Sequence, residues 1–224
     1  MFDGPSAKAS IIMIRYVQLV AFLVVLLVPL QSRGSIVINE IHADPAADLS
    51  GDANGDGVRS ATHDEFIELL NTGLSSVDIG GWTLSDDDTS SVFSFPFATM
   101  IAPGEFVVLF GGGTPTGFGS IQVFTDDGSI GTGLSNSGDT VQLFDDSSTP
   151  VLIASYTYGS EGGDDQSLTR SPDGTGGFVK HSTIPPGNLF SPGTAASAIV
   201  PELTSFAVWS VLGLVTYVGG RRRL

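Results

Sequence analysis

The sequence predicts an all-β protein of the sandwich or barrel kind. Short apolar runs, rich in β-branched and aromatic residues, recur from Ser35 to about Arg170. Gly, Asp, Ser and Pro separate them, and the chain of 224 residues holds 29 glycines and 12 prolines to make the turns. No run in this span keeps a 3.6-residue apolar period for three turns, so almost no helix is expected there. Many short strands with regular turn signals bury two inner sheet faces against each other.

The strands follow in order. "SIVINEIH" (35–42) alternates Ile36 and Ile38 with a polar Glu40. "DEFIELLN" (64–71) offers Phe66, Ile67, Leu69 and Leu70. "SVDIGGWTLSD" (76–86) reads as two short strands or a bend, with Trp82 a core candidate. "VFSFPF" (92–97) alternates Phe93, Phe95 and Phe97. "EFVVLFG" (105–111), "IQVF" (121–124), "DTVQLFD" (139–145) and "PVLIASYTYG" (150–159) continue the series, and "QSLTR" (166–170) closes it. From Ser171 to Thr194 the chain turns Pro/Gly-rich and predicts an irregular segment laid over the sandwich, with Phe178 and Phe190 as anchors.

Charge is unevenly distributed. The formal net charge is −15, yet six of nine basic residues lie near the termini. Between Ser35 and Glu202 stand three basic residues, Arg59, Arg170 and Lys180, against 23 acidic ones, a net −20. Nucleic acid is bound by neutralising phosphates with Lys and Arg, so a domain of this sign is repelled by it. It favours cations or basic partners, or simply solubility. The lack of cysteine removes disulfides, thiol catalysis and zinc–sulfur sites.

The two ends read differently from the middle. Lys8 and Arg15 precede an apolar run, Tyr16 to Leu30, and small residues follow at Ser32, Gly34 and Ser35. This predicts a signal peptide, with an N-terminal signal helix, over 1–34. An uncleaved anchor helix is the alternative. A linker and sorting motif at 195–202 lead to Leu203–Gly220, which carries no charge and is long enough to span a bilayer. Arg221, Arg222 and Arg223 follow and belong on the cytoplasmic side. A C-terminal transmembrane helix with a basic tail is therefore expected over 203–224, and the domain at 35–194 is exported.

An acidic loop holds the candidate metal ligands. Asp52-x-Asn54-x-Asp56-Gly57 matches the first half of a calcium loop, in which oxygen ligands at alternate positions converge on one ion. Val58 offers a backbone carbonyl at the seventh position, and Asp48 lies close in sequence. The twelfth position is His63 where a bidentate Glu belongs, and Asp64 comes one residue late. Hard oxygen donors suit Ca2+. The candidate set is Asp48, Asp52, Asn54, Asp56, Val58 and Asp64. A polar connection in which Asp, Asn and Gly only make turns fits equally well. "GGGTPTGFG" (111–119) lacks the Lys-Ser/Thr ending of a phosphate loop.

Two stretches resemble known families. Val200, Pro201 and Glu202, then Leu203 to Gly220, then three arginines, resemble the PEP-CTERM sorting signal of Gram-negative and related bacteria. Leu203 stands where the commonest motif has a second proline. The resemblance implies recognition by exosortase-type sorting machinery, and release or attachment at the cell surface. "IVINEIHADP" (36–45), "DEFIELLNTG" (64–73), "VDIGGWTLSD" (77–86), "IAPGEFVVLFG" (101–111), "LSNSGDTVQLFD" (134–145) and "QSLTRSPDGTGGF" (166–178) together resemble the lamin-tail domain in its bacterial form. That resemblance implies an immunoglobulin-like β-sandwich without catalytic activity.

No residue pattern nominates an enzyme. H-E-x-x-H, G-x-S-x-G and a Cys–His pair are all missing from the chain, and His42, His63 and His181 sit in separate contexts. The sequence thus favours a non-catalytic module for adhesion, assembly or protein interaction, at the cell surface or in an exopolysaccharide matrix. Its partner would be a surface protein or polysaccharide, with the membrane reached through the C-terminal helix and no role for nucleic acid. An accessory domain beside a secreted hydrolase or nuclease is the runner-up.

Overall fold

The computed structural model describes residues 36–86 and 92–196. The expected signal peptide and C-terminal membrane helix lie outside the described residues. Within them the regular structure is twelve strands and three single-turn 3-10 helices. No helix among the described residues is long and apolar enough to cross a membrane.

Six strands form the larger sheet. They are β1 (Ile36–His42), β2 (Phe66–Asn71), β7 (Phe106–Phe110), β8 (Gln122–Thr125), β11 (Leu168–Ser171) and β12 (Gly177–Lys180). Their order is β12-β11-β1-β2-β7-β8, antiparallel except for the β7–β8 pair. The smaller sheet is β10-β9-β4-β5, built from β4 (Thr83–Ser85), β5 (Phe93–Ser94), β9 (Asp139–Phe144) and β10 (Leu152–Tyr158). A short ribbon pairs β3 (Val77–Asp78) with β6 (Met100–Ile101).

The main core lies between the sheets. Ile36, Ile38 and Ile41 of β1, Ile67 and Leu69 of β2, and Val107 and Leu109 of β7 face Leu84, Val141 and Leu143. Side chains alternate along a strand, so every second residue reaches this core. In β9 the others, Thr140, Gln142 and Phe144, are only partly buried. In β2 and β7 every residue is buried. Their outward residues Phe66, Val108 and Phe110 form a second cluster with Ala53, closed over by Phe118, Ile121 and Phe190. The central strands of the six-stranded sheet are therefore covered on both faces.

Three expectations need adjustment. The segment 171–194 is not wholly irregular, because Gly177–Lys180 pairs with β11 and extends the sheet. Phe178 stacks on Tyr156 with ring centroids 3.8 Å apart, and Phe190 joins the second cluster, so both anchors hold as expected. Phe97 breaks the predicted alternation: Phe95 is buried while Phe97 is 90% exposed. Strand β5 ends at Ser94, and Ala98 turns the chain with a positive φ of 64°. Trp82 is partly buried against the core.

Candidate functional site

The acidic loop is built as a chain of side-chain-to-backbone hydrogen bonds. Asn54 Oδ1 accepts from the Asp56 amide at 3.0 Å, Asp56 Oδ1 from the Val58 amide at 2.8 Å, and Asp52 Oδ2 from the Gly57 amide at 2.9 Å. Asp and Asn favour such turns because their short side chains reach amides a few residues on. Asp64 closes the loop by accepting from the Asn54 amide at 3.1 Å and the Ser60 amide at 2.6 Å. Asp48 instead caps the 3-10 turn at Leu49–Gly51 through the Ser50 amide.

The loop is held against the glycine-rich segment that precedes β8. The Thr116 amide donates to the Asn54 carbonyl at 2.9 Å, and the Thr114 amide to Asp56 Oδ2 at 3.1 Å. Two glycines are required by that contact. A Cβ at Gly111 would lie 2.0 Å from the Thr62 carbonyl oxygen. Gly113 has a φ of +79°, and a Cβ there would meet Asn54 Nδ2 at 2.4 Å. The run that lacked a phosphate-loop ending is a seat for the acidic loop.

Of the six candidate ligands, Asp52, Asn54, Asp56 and Asp64 are brought together by this bonding. Val58 follows them with its side chain exposed, and Asp48 serves the neighbouring turn. Among the described residues no three His, Cys, Asp or Glu side chains converge as a ready-made metal site. Backbone amides already answer most of the carboxylate oxygens. The exception is Asp52 Oδ1, which is buried with no hydrogen-bond partner. Burial raises the Asp64 pKa from its usual range, and the charges of Asp52 and Asp56 push it further. Hydrogen bonds from Thr114 and Val58 lower that of Asp56.

A second cluster, not visible in any sequence motif, lies on the outer face of the six-stranded sheet. Glu40 and Glu68 are cross-strand neighbours in the β1–β2 register, and both are fully buried. The register shifts between Ile38 and Glu40, and this bulge lets the adjacent Asn39 and Glu40 both serve the same cluster. Glu40 accepts from Ser167 Oγ at 2.6 Å, from the Ser191 amide at 3.0 Å and from Ser191 Oγ at 2.9 Å. Glu68 accepts from Asn39 Nδ2 at 2.8 Å and from the Gly193 amide at 2.7 Å. Asn39 also donates to Asp173 at 2.9 Å, and its own Oδ1 accepts from the Gly174 amide at 2.8 Å. The chain from 171 to 194 is thereby strapped to the sheet by buried polar groups as well as by Phe190.

Burial raises the pKa of Glu40, with His181 opposing. Glu68 is raised well above its usual range, first by burial and then by the adjacent Glu40. Two neighbouring carboxyl groups this dry resist both ionising.

His181, Ser191 and Glu40 stand in a line that superficially suggests a hydrolase. The Ser191 hydroxyl lies 2.9 Å from His181 Nε2, but it donates its hydrogen to Glu40. His181 Nδ1 faces the Asn188 carbonyl at 2.9 Å and not a carboxylate. The Asn188 carbonyl thus stands where a Ser-His-Asp site has its carboxylate. His181 is 2% exposed and Glu40 0%, so the line sits under the strap. His42 is buried beside it, 5.4 Å from Phe66 and 5.2 Å from Phe190 between ring centroids. The Gln166 backbone comes near it without full hydrogen-bond geometry. Burial takes the His42 pKa down to about 3.

Glu65 is a third buried carboxyl. It accepts from the Leu134 amide at 3.2 Å. Burial, reinforced by Asp139, Asp44 and Asp86, pushes its pKa up to about 8.

The arrangement is that of an all-β, immunoglobulin-like sandwich whose buried polar groups hold its own segments together. The family model of the Lamin Tail Domain matches residues 29–160, well over half of the chain. The chain belongs to the lamin tail domain family, a family of non-catalytic β-sandwich modules for protein interaction. No curated protein matches the chain.

Proposed function

We propose that this chain is an exported, non-catalytic β-sandwich module that mediates adhesion, assembly or protein interaction at the cell surface or in an exopolysaccharide matrix. Its amino-terminal 34 residues direct export, and a PEP-CTERM-like tail of bacterial type, read by an exosortase, directs sorting. The observation that supports this best is the use of the buried polar groups. Glu40, Glu68, His181 and Ser191 are all engaged in holding the strap, which leaves exposed loops and strand edges for contact. Loops and edges on a rigid scaffold are where such modules bind. The test is fractionation of the native host, with in-cell crosslinking of the full chain. Recovery in the envelope or matrix, with discrete crosslinks lost when 36–196 is deleted, is the expected outcome. A chain found in the cytosol with both ends intact would overturn the reading.

Calcium binding by the acidic loop is a second reading, favoured by the buried, unpartnered Asp52 Oδ1 beside Asn54 and Asp56. A divalent cation there would answer that oxygen and relieve the repulsion between Asp52, Asp56 and Asp64. Calorimetric titration with CaCl2 checks it. Ligand at about 100 times Kd stabilises a fold by about 2.7 kcal/mol, a clear rise in melting temperature. Absence of heat and of any shift at millimolar Ca2+ removes the reading, and Asp52→Asn abolishes both signals if it holds.

A further inference from the structure

We propose that the open edge of β10 is a docking site for an extended, basic peptide segment of another protein, which adds to the smaller sheet as a fifth strand. The proposal rests on the interaction-module reading and names its surface and the chemistry of its partner.

The sandwich has four edge strands, and three are poorly suited to accept another. β5 is two residues long. β8 and β12 are four residues each. The side chain of Gln122 on β8 is tied to the Met100 carbonyl at 2.6 Å. β12 ends on Lys180, ion-paired with Asp164. A short edge or an edge lysine is the usual protection against strand addition. β10 has neither. It runs seven residues, LIASYTY, with no charge and no proline, and it pairs only with β9. A register shift lies between Leu152 and Ala154, but from Ala154 to Tyr158 the ladder is unbroken. Over Ala154–Thr157 the side away from β9 meets no other strand among the described residues.

Apolar surface continues the same edge. Val151 is 54% exposed, Leu152 47% and Ile153 38%. Three exposed aliphatic residues in a row are uncommon on a soluble surface and supply side-chain contact beside a hydrogen-bonded ladder.

Charge decides the occupant. Carboxylates stand at both ends of the strand. Asp145 Oδ1 accepts from the Val151 amide at 2.8 Å, and Asp146 is its neighbour. Glu161 Oε1 accepts from the Gly159 amide at 3.0 Å at the other end. The nearby cations are already engaged: Lys180 pairs with Asp164, and Arg170 lies over the Phe178 ring and bonds to the Ile38 and Gly176 carbonyls. A second copy pairing antiparallel through β10 would set its Glu161 end against the Asp145 end of the first. Like charges would then face each other at both ends of the pair, in addition to the general repulsion of two strongly acidic domains. A strand with apolar residues at its centre and Lys or Arg at its ends meets no such conflict.

The probe is a short synthetic peptide of alternating threonine and valine with a pair of lysines at each end, added to the full chain and followed by fluorescence anisotropy. Three controls accompany it: the same peptide flanked by glutamates, one N-methylated at every second residue so that it cannot complete a ladder, and one scrambled. The lysine-flanked probe is expected to bind about tenfold or more tightly than the glutamate-flanked one, and the N-methylated one to lose binding. Ile153→Lys, an exposed substitution, weakens the parent probe about tenfold or more. Asp145→Asn with Glu161→Gln keeps the oxygens that accept from Val151 and Gly159 while erasing the preference for lysine. The edge assignment is overturned if the lysine probe does not bind at millimolar concentration, or if the N-methylated probe binds as well as its parent. It is also overturned if sedimentation shows a dimer that Ile153→Lys dissociates, because the edge would then belong to a second copy. Should Ile153→Lys not fold, the comparison of probes on the unaltered chain decides alone. A chain that ignores every probe but keeps its crosslinks in the host sinks the edge and leaves the interaction reading standing.

Discussion

The two sheets of this sandwich share one core and differ in everything behind it. The four-stranded sheet has an inner apolar face and an outer face of Thr140, Gln142, Ser155 and Thr157 that meets solvent. The central strands β1, β2 and β7 of the six-stranded sheet are dry on both faces, because the acidic-loop segment and the chain around Phe190–Gly193 cover their back. Covering a sheet with irregular chain is difficult, since loops bring backbone groups that need partners. Here buried side chains of the sheet supply them. Glu40 and Glu68 accept from the Ser191 and Gly193 amides, and Asn39 accepts from that of Gly174. The lesson is that polar residues buried on a sheet face can act as mortar for a strap and need not mark a reaction centre.

The largest test of this contrast is Phe66→Ala against Gln142→Ala. Phe66 is 0% exposed and touches Phe110, Phe190 and His42, so its truncation should cost about 3–5 kcal/mol in urea unfolding. Gln142 is on the wet face and should change stability by no more than about 0.5 kcal/mol. Equal effects would mean that the outer face of the larger sheet is not a second core.

Next is the mortar itself. Ser191→Ala removes one donor to Glu40 and should cost about 1–3 kcal/mol, because a buried carboxyl is left short of a partner. The local signature is faster amide exchange at Ser191 and Gly193, with β9 unaffected. Uniform acceleration throughout the molecule would show that the strap is not a separate unit.

A pH profile of melting temperature comes third. Glu65 has a folded pKa of about 8 against an ordinary 4.5. Its stabilising share is complete below about pH 4.5 and is lost as pH rises towards 8. Glu68 and Glu40, also raised, act in the same direction. His42 has a folded pKa of about 3 against 6.5, so its share is complete above pH 6.5 and is lost as pH falls towards 3. Stability should peak in the mildly acidic window between, and Glu65→Gln should flatten the alkaline limb. A maximum above pH 8 would contradict the burial of these carboxyls.

The smallest effect expected is that of Asp48→Ala. It removes the cap of a single 3-10 turn on the surface and should lower the melting temperature only slightly, without changing the loop's bonding at Asp64.

Much of the fold was legible in the sequence because strand alternation is a local property. "DTVQLF" alternates and is half wet, whereas "FVVLF" is continuous and is buried on both faces. That continuity was a signal that the 105–111 strand is covered twice. The four-residue β12 was missed because Gly177 and the surrounding prolines and glycines mask its pattern. Phe97 misled because a turn at Ala98 interrupts the alternation. At the acidic loop the spacing of Asp52, Asn54 and Asp56 foretold a tight wrap, and the structure brings Asp64 in to close it. The Glu40–Glu68–Ser191–His181 cluster had no sequence signal, since its members are up to 151 positions apart.

By itself the sequence determined the strand content, the turn positions, the strongly acidic charge and the lamin-tail resemblance, because each depends on neighbours along the chain. Only the tertiary structure decided which carboxyls are buried, which strands are dry on both faces and which edge stays open. Those outcomes follow from residues far apart in sequence competing for the same surface, and no local pattern records who wins.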